Sequence, residues 1–526
     1  MKRTHSAPGD PGTVTGAHAV LKAAAAHGVD VCFANPGTTE MPIVRALDDV
    51  RAVRPVLGLF EGVCTGAADG FARIAGRPAS TLLHLGPGFA NGIANLHNAR
   101  RARTPMLNLV GDQASWHLAY DAPLTSDIHS LARPVSGWVR TSARAADLAR
   151  DTAEALAATT AFPRSPATLV VPLDFQQATV SGALPGRRPS PGRPAVDGQV
   201  VDECAKAIRA AHRCVLLLGD DALGERGQRA AAAVMEATGA TAYSETFPSV
   251  AERGGGLPGL DRLPYFPEAA RAALAGADLV LLAGALEPVS YFGYEGIPAR
   301  LAPPESVTRL AEPGQDSQSA LEDLAAALGA TPPATRRCGA PVVPGGGALT
   351  PRSVGVTLTA LLPEGAIVSV EGGTCGYPFF TASAVAARHT AMTNTGGAIG
   401  QGLPVAVGAA IAAPGRRVVA LQSDGSAQYT IQALWTMARE QLPVTVLIAS
   451  NSRYGVLRTE LDRLGARTDG PASERLTSLA DPAIGWPALA AAYGVGATSV
   501  STVDELAPAL ARSLLADGPS LIELKL

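Results

Sequence analysis

The sequence predicts an α/β protein built from three doubly wound parallel-sheet domains in series. Three observations carry that expectation. Short apolar runs alternate with Ala-rich helical stretches along all 526 residues. Buried strands separated by helices mean parallel sheets covered on both faces. Two Pro/Gly-rich stretches, 181–198 and 331–350, lack apolar periodicity and read as linkers. A domain of roughly 150 residues is typical, so this length predicts three or four of them.

The blocks so defined are 12–180, 198–330 and 350–526. In the first, VDVCFANPG, ASTLLHLGPG, PMLNLVGD and ATLVVPL read as strands, and GAHAVLKAAAAHG and GVCTGAADGFARIAG as helices. In the middle block CVLLLGDDAL and ADLVLLAGA are strands, with RGQRAAAAVMEATGA a helix between them. In the last, AIVSVEGG, RVVALQSDG, PVTVLIASN and SLIELKL are strands, and SAQYTIQALWTMAREQ is expected as one helix.

Composition excludes several classes of function. A net charge of -3 leaves no basic surplus to neutralise a phosphate backbone, so nucleic acid is not an expected partner. The six cysteines form no CxxC pair and several lie in apolar runs, which fits buried free thiols in a reducing compartment. MKRTHSAPGDPG has a basic start without an apolar stretch behind it, so no signal peptide is expected. No apolar run approaches the ~20 residues of a membrane span. The expectation is a soluble cytoplasmic protein with no membrane partner.

The strongest chemical signal lies in 418–455. A strand ends at Gln422, Ser423-Asp424-Gly425-Ser426 turns into a helix, and the next strand ends at Ser450-Asn451. Parallel strands joined by a crossover helix place both carboxyl ends on one sheet edge, where open α/β sheets bind ligands. Asp424, Asn451 and a free backbone carbonyl are hard oxygen donors suited to Mg²⁺ or Ca²⁺. Gly425 and Ser426 offer backbone N–H groups to phosphate at a helix start. Together they imply a divalent cation bridging protein and a diphosphate. A D-G-S turn alone is common; the Asn ending the next strand supplies the specificity.

With that spacing the chain resembles the thiamine diphosphate (ThDP) enzymes, in the acetolactate synthase and benzoylformate decarboxylase branch. The resemblance spans residues 14–526 and includes ANPGTTEMP, FEGVCTGAADGFAR, GGAIGQGLPVAVGAA and DGSAQYTIQALWTMA. It implies that Asp424, Asn451 and the Arg453 carbonyl hold the metal, although Ser423 stands where relatives have Gly and Ser450 where they have Asn. It implies diphosphate contacts from Gly373 and Thr374, whose bland alternative is a helix cap, and cofactor contacts from Gly425, Ser426 and Tyr454. It implies that Glu61, in an apolar setting, hydrogen-bonds the pyrimidine ring nitrogen and so activates the coenzyme. Ile399 would wedge between the cofactor rings, and the Gly397 carbonyl would accept from the exocyclic amine.

His84 lies where the decarboxylases carry an active-site His, and a satisfied structural His is the alternative. Thr38 and Thr39 occupy a loop where relatives bind substrate; their hydroxyls hold a substrate carboxylate or cap the next helix. Two positions depart. Phe292 stands near a second His of some decarboxylases, and Asp112 replaces a Gln common in relatives, with Gln113 adjacent. His117 and His129 lie nearby in polar loops.

The resemblance implies ThDP- and Mg²⁺-dependent decarboxylation of a 2-oxo acid, followed by ligation to a second carbonyl compound or by release of an aldehyde. Loss of one proton donor at Phe292 tilts the expectation toward ligation. It also implies a homodimer or homotetramer in which Glu61 and Asp424 of one site come from different protomers. FAD, carried by the middle domain of some relatives, has no decisive signature; no GxGxxG follows CVLLLGDD. A silent homologue is disfavoured by retention of Glu61, Asp424 and Asn451. A plain dinucleotide oxidoreductase is disfavoured by FANPGTTE, which lacks the glycine fingerprint after the first strand.

Overall fold

The computed structural model describes residues 12–186, 190–331, 333, 341–465 and 470–526. Parts of both expected linkers, and Cys338, lie outside the described residues. The first sheet contains β1 (Val31–Asn35), β2 (Arg54–Leu57), β3 (Ala79–His84), β4 (Met106–Asp112), β5 (Trp138–Thr141) and β6 (Pro166–Pro172), in the order β2-β1-β3-β4-β6-β5. Every neighbouring pair is parallel. All of β4 and β6 is buried, as continuous apolar runs between helical layers must be. The register sets His84 opposite Gly111, so the carboxyl ends of β3 and β4 lie side by side. Helices α1 (Glu61–Ala75) and α2 (Leu85–Arg101) begin at that edge.

A second sheet, wholly parallel, is built from β7 (Cys214–Leu218), β8 (Thr241–Ser244), β10 (Asp261–Arg262), β11 (Leu279–Ala283) and β12 (Val307–Ala311), ordered β10-β8-β7-β11-β12. The third sheet has seven strands: β9 (Ala251–Arg253), β13 (Ala366–Val370), β14 (His389–Thr393), β15 (Val418–Ser423), β16 (Val444–Ser450), β17 (Gly496–Val500) and β18 (Ser520–Lys525). Their order is β9-β14-β13-β15-β16-β18-β17. Its one antiparallel pairing is β9 with β14, so the middle block lends an edge strand to the last sheet.

The chain falls into two compact units. The first comprises Met1–Pro191, Gly396–Pro414 and Thr430–Leu442; the second comprises Gly192–Thr395, Gly415–Tyr429 and Pro443–Leu526. The six-stranded sheet lies in the first unit, and the five- and seven-stranded sheets lie in the second. The helix expected over SAQYTIQALWTMAREQ is broken instead. It forms α5 (Asp424–Ala427), a 3₁₀ turn (Gln428–Thr430) and α6 (Ala433–Arg439). Thr430 Oγ1 donates to the Gly400 carbonyl at 2.7 Å, which helps hold the break in place.

Within the first unit, α4 (Gly402–Ala412) lies directly on α1. A Cβ at Gly70 would stand 2.1 Å from the Val405 carbonyl oxygen, and one at Gly408 would stand 1.8 Å from that of Ala67. Nothing larger than glycine fits where two backbones touch. Asp69 secures the contact. Its carboxylate accepts from Arg73 Nε and Nη2 at 2.8 and 2.6 Å, from Thr104 Oγ1 at 2.5 Å and from Gln401 Nε2 at 2.7 Å. The two side chains of the Asp69–Arg73 pair are 0% and 2% exposed. Removing one partner of a buried pair costs about 3–5 kcal/mol. Asp69→Ala is therefore expected to lower stability by that amount, read from urea unfolding of the cofactor-free protein.

Candidate active site

The first unit gathers its chemistry at the carboxyl ends of β1, β3 and β4. The chain leaves β1 through Pro36 and Gly37 into a 3₁₀ turn, Thr38–Glu40. Glu40 is completely buried. Its carboxylate accepts from the Gly37 N–H at 2.8 Å and from Thr39 Oγ1 at 2.6 Å, and it bonds His84 Nδ1 at 2.8 Å. A buried carboxylate needs such partners. With Nδ1 held, Nε2 is the imidazole atom that remains for proton transfer. Thr39 is thus committed to Glu40, while Thr38 stays exposed. Gly37 packs on the imidazole: a Cβ there would lie 2.4 Å from the ring.

Glu61 begins α1, where the helix dipole favours a carboxylate, and is 9% exposed. Asn91 Nδ2, on α2, donates to Glu61 Oε2 at 3.0 Å. Oε1 faces Gly88, whose Cβ would stand 3.0 Å from it and 3.3 Å from the His84 Cβ. Glu61 and His84 therefore flank the same glycine. The 396–401 segment is strapped to α2. Asn98 Nδ2 donates to the Ala398 carbonyl at 2.8 Å, the Ala398 N–H donates to Asn98 Oδ1 at 3.2 Å, and His97 Nε2 meets the Gly396 carbonyl at 3.1 Å. Gly397 has φ +82°, and Ile399 leaves 38% of its surface open.

The second unit presents a different chemistry at the ends of β13, β15 and β16. Helix α3 (Gly373–Ala382) is capped by Gly372, so Thr374 is not its cap. Gly372 has φ +95°, and a Cβ there would stand 2.1 Å from Ser423 Oγ. Asp424 is 2% exposed. Its Oδ1 accepts from the Gly425 N–H at 2.9 Å, and its Oδ2 from the N–H groups of Asn451 and Ser452 at 3.0 and 2.6 Å. Burial raises the Asp424 carboxyl above its ordinary range, although those N–H bonds work against it. Asn451 Oδ1 accepts from the Arg453 N–H at 3.2 Å, and the Arg453 carbonyl accepts from the Gly455 N–H at 3.1 Å. Ser426 Oγ donates to the Ser423 carbonyl at 3.1 Å. Gly425 lies against the Tyr454 ring, 2.4 Å from a Cβ built there.

A carboxylate and an amide side chain meeting one tight loop of backbone suit a hard divalent cation. Among the described residues no three His, Cys, Asp or Glu cluster, and this donor set uses one such residue.

The remaining predicted residues are dispersed. Phe292 is 55% exposed in a second-unit loop. An aromatic chain runs from it through Tyr291 and Phe247 to Arg262, which stacks on Tyr377 beside Gly373. His117 makes ring contacts with Trp116 and Tyr120, and His129 bonds Thr141. Asp112 closes β4 and is 7% exposed. Sequence reasoning missed Glu40, Asn91 and Asn98. The one available signal for Glu40 is a Glu three residues after the turn-opening Gly37, whose carboxylate can reach back to that N–H; Asn91 and Asn98 carry no such signal.

Two family models match the chain: the N-terminal TPP binding domain of thiamine pyrophosphate enzymes over residues 14–131, and the C-terminal TPP binding domain over 374–524. A protein of Mycobacterium tuberculosis, provisionally named acetolactate synthase large subunit IlvX, is 48% identical over 97% of this chain and 98% of its own length. Benzoylformate decarboxylase of Pseudomonas aeruginosa is 31% identical over 94% of this chain and 96% of its own.

This chain belongs to the thiamine pyrophosphate enzymes.

Its fold matches the ThDP-dependent 4-hydroxybenzoylformate decarboxylase of Rhodococcus jostii with a TM-score of 0.83 at 26% identity, covering 97% and 99% of the two chains. Among the described residues no helix is long and apolar enough to cross a membrane. In this member of the family, Gly372 sets the direction of α3. Gly372→Ala strains a positive φ and crowds Ser423, at a cost of about 1–3 kcal/mol. It is expected to weaken ThDP binding by ~10-fold, read by calorimetry.

Proposed function

We propose that this chain is a ThDP- and Mg²⁺-dependent enzyme that decarboxylates a 2-oxo acid, working as a homodimer or homotetramer. The observation that carries the reading is Glu61: nearly buried, fixed by Asn91 through one oxygen, with the other facing the gap kept by Gly88. That oxygen would share a proton with a ring nitrogen of the coenzyme. When bound, the coenzyme supplies a nucleophilic carbon and an electron sink for the pair left by departing CO₂.

The protein does the rest by holding and orienting. Asp424, Asn451 and the Arg453 carbonyl would hold Mg²⁺. Backbone N–H groups at Gly373, Thr374, Gly425 and Ser426 would meet the diphosphate, with Tyr454 alongside. Ile399 offers open aliphatic surface beneath the coenzyme rings, and Gly397 its carbonyl. His84, oriented by Glu40, moves protons at Nε2. Thr38 is the free hydroxyl for a substrate carboxylate. The five described cysteines are buried free thiols, which suits a reducing cytoplasm.

A second reading, ligation to an acceptor carbonyl compound, is favoured by Phe292, an exposed aromatic ring with no proton to give. A panel of 2-oxo acids, with and without acceptor aldehydes, tests both readings through products identified by mass spectrometry. Consumption of none of them in the presence of ThDP and Mg²⁺ would falsify the proposal. Glu61→Ala is expected to bind ThDP yet lose ~10²–10⁴-fold in turnover. Asp424→Ala is expected instead to lose cofactor affinity, measured by calorimetry with Mg²⁺.

A further inference from the structure

The carboxyl edge of the second sheet carries a buried cation that no anion meets. Arg262 closes β10, where the register sets it opposite Ser244 at the end of β8. Ligands of open α/β sheets bind at that edge. The residue is 8% exposed. Its guanidinium lies over the rings of Tyr377 and Phe380, 4.3 and 4.6 Å from their centroids, and 6.0 Å from that of Phe247. Stacking on rings serves the face of a guanidinium; its five N–H donors lie in the plane and need acceptors.

Arg253, beside it, is fully provided for. It also stacks on Phe380, at 3.7 Å, and is 4% exposed. Its Nε, Nη1 and Nη2 donate to Ser383 Oγ, the Leu260 carbonyl and the Phe380 carbonyl at 3.0, 2.8 and 2.6 Å. Arg262 makes no hydrogen bond and no ion pair among the described residues, and its nitrogens are not sealed from solvent. The hydroxyls of Tyr265 and Tyr377 are in the same state.

The carboxylates of this region are spent elsewhere or face outward. Glu460 accepts from Tyr294 Oη at 3.0 Å, Glu268 pairs with Arg463, and Asp261 is exposed. Burial draws the Arg262 pKa down to about 10, so the group keeps its charge at neutral pH. A buried charge without a counter-ion is costly, and its presence calls for an explanation. A ligand anion supplies one.

We propose that Arg262 holds the carboxylate of an aromatic acid. A guanidinium matches a carboxylate with two parallel N–H donors. One free cation suits a monoanion better than a phosphate, since Arg253 is already committed. The aromatic body follows from the neighbouring rings. Tyr265 and Tyr291 pack on Phe247 with centroids 6.0 and 5.6 Å away, and Phe292 packs on Tyr291 at 5.2 Å. Tyr291 and Phe292 are exposed, so flat apolar surface runs from solvent toward the cation. Every residue of this site belongs to the second unit. The assignment does not rest on the 2-oxo acid reading.

Benzoate is the probe, titrated by calorimetry into the full chain with ThDP and Mg²⁺ present. Acetate lacks the ring and benzyl alcohol lacks the charge. Benzoate is expected to bind at least ~10-fold more tightly than either. Arg262→Met, an apolar chain of similar reach, is expected to lose ~10-fold or more of that affinity, and Arg262→Lys to keep part of it. No benzoate binding by the wild type, or equal binding by Arg262→Met, overturns the assignment. Tighter binding of inorganic phosphate than of benzoate, or loss of ThDP affinity in Arg262→Met, gives the guanidinium to a phosphate and overturns it too.

A structural role is read separately. Without benzoate, Arg262→Met is expected to melt no lower than the wild type, because a charge with no counter-ion has been removed. A lowered thermal midpoint marks Arg262 as a group that holds the fold and counts against a ligand site. Kinetics tell two sources of the acid apart. If it is a compound the enzyme converts, benzoate competes with it and Arg262→Met raises its KM. If it is an effector, benzoate alters turnover without competing. Either pattern supports the site. A chain that consumes no 2-oxo acid loses the proposed function, while the calorimetry still decides this assignment.

Discussion

Glu40 is excluded from water, and a carboxylate so placed must be met by donors from several sides. Meeting that demand shapes the first-unit site. The Gly37 N–H, the Thr39 hydroxyl and His84 are all drawn to it, which closes the 3₁₀ turn and turns His84 so that Nε2 is left over. Gly111 must lack a side chain because Glu40 occupies that space, and Gly37 must lack one because His84 does. One buried charge thus dictates two glycines, one imidazole orientation and the shape of the edge at which Glu61 stands.

The same physics recurs at Asp69 and Asp424. Asp69 gathers four donors and binds a segment from late in the chain onto α1, where helices cross at backbone contact. Asp424 is met by three backbone N–H groups, and the Asn451 amide oxygen accepts the Arg453 N–H in the same loop. The two units divide the labour. The first gathers carboxylates and an imidazole at its strand ends; the second gathers oxygen donors and helix starts at its own.

Much of the second-unit site was readable in the sequence because it is local. Asp424, Gly425 and Ser426 are consecutive, and Asn451 follows across one strand–helix–strand crossover whose handedness is fixed. The first-unit site was read less completely. Glu61 and His84 stood out by context and resemblance, but the carboxylate that orients His84 sits 44 residues away in a motif that also reads as a simple helix start. Thr39 was expected as a substrate or capping group, and its hydroxyl serves Glu40 instead.

The sequence by itself determined many of the strands, their parallel arrangement, the family and the spacing of the metal-type donors, because periodicity and short motifs are properties of neighbouring residues. Only the tertiary structure decided that Glu40 backs His84, that Asn91 holds Glu61, and that Glu40 fills the space over Gly111. It alone carried Gln401 to Asp69 across 332 residues. Burial and donor supply arise where distant segments meet, and no local pattern records which of them will.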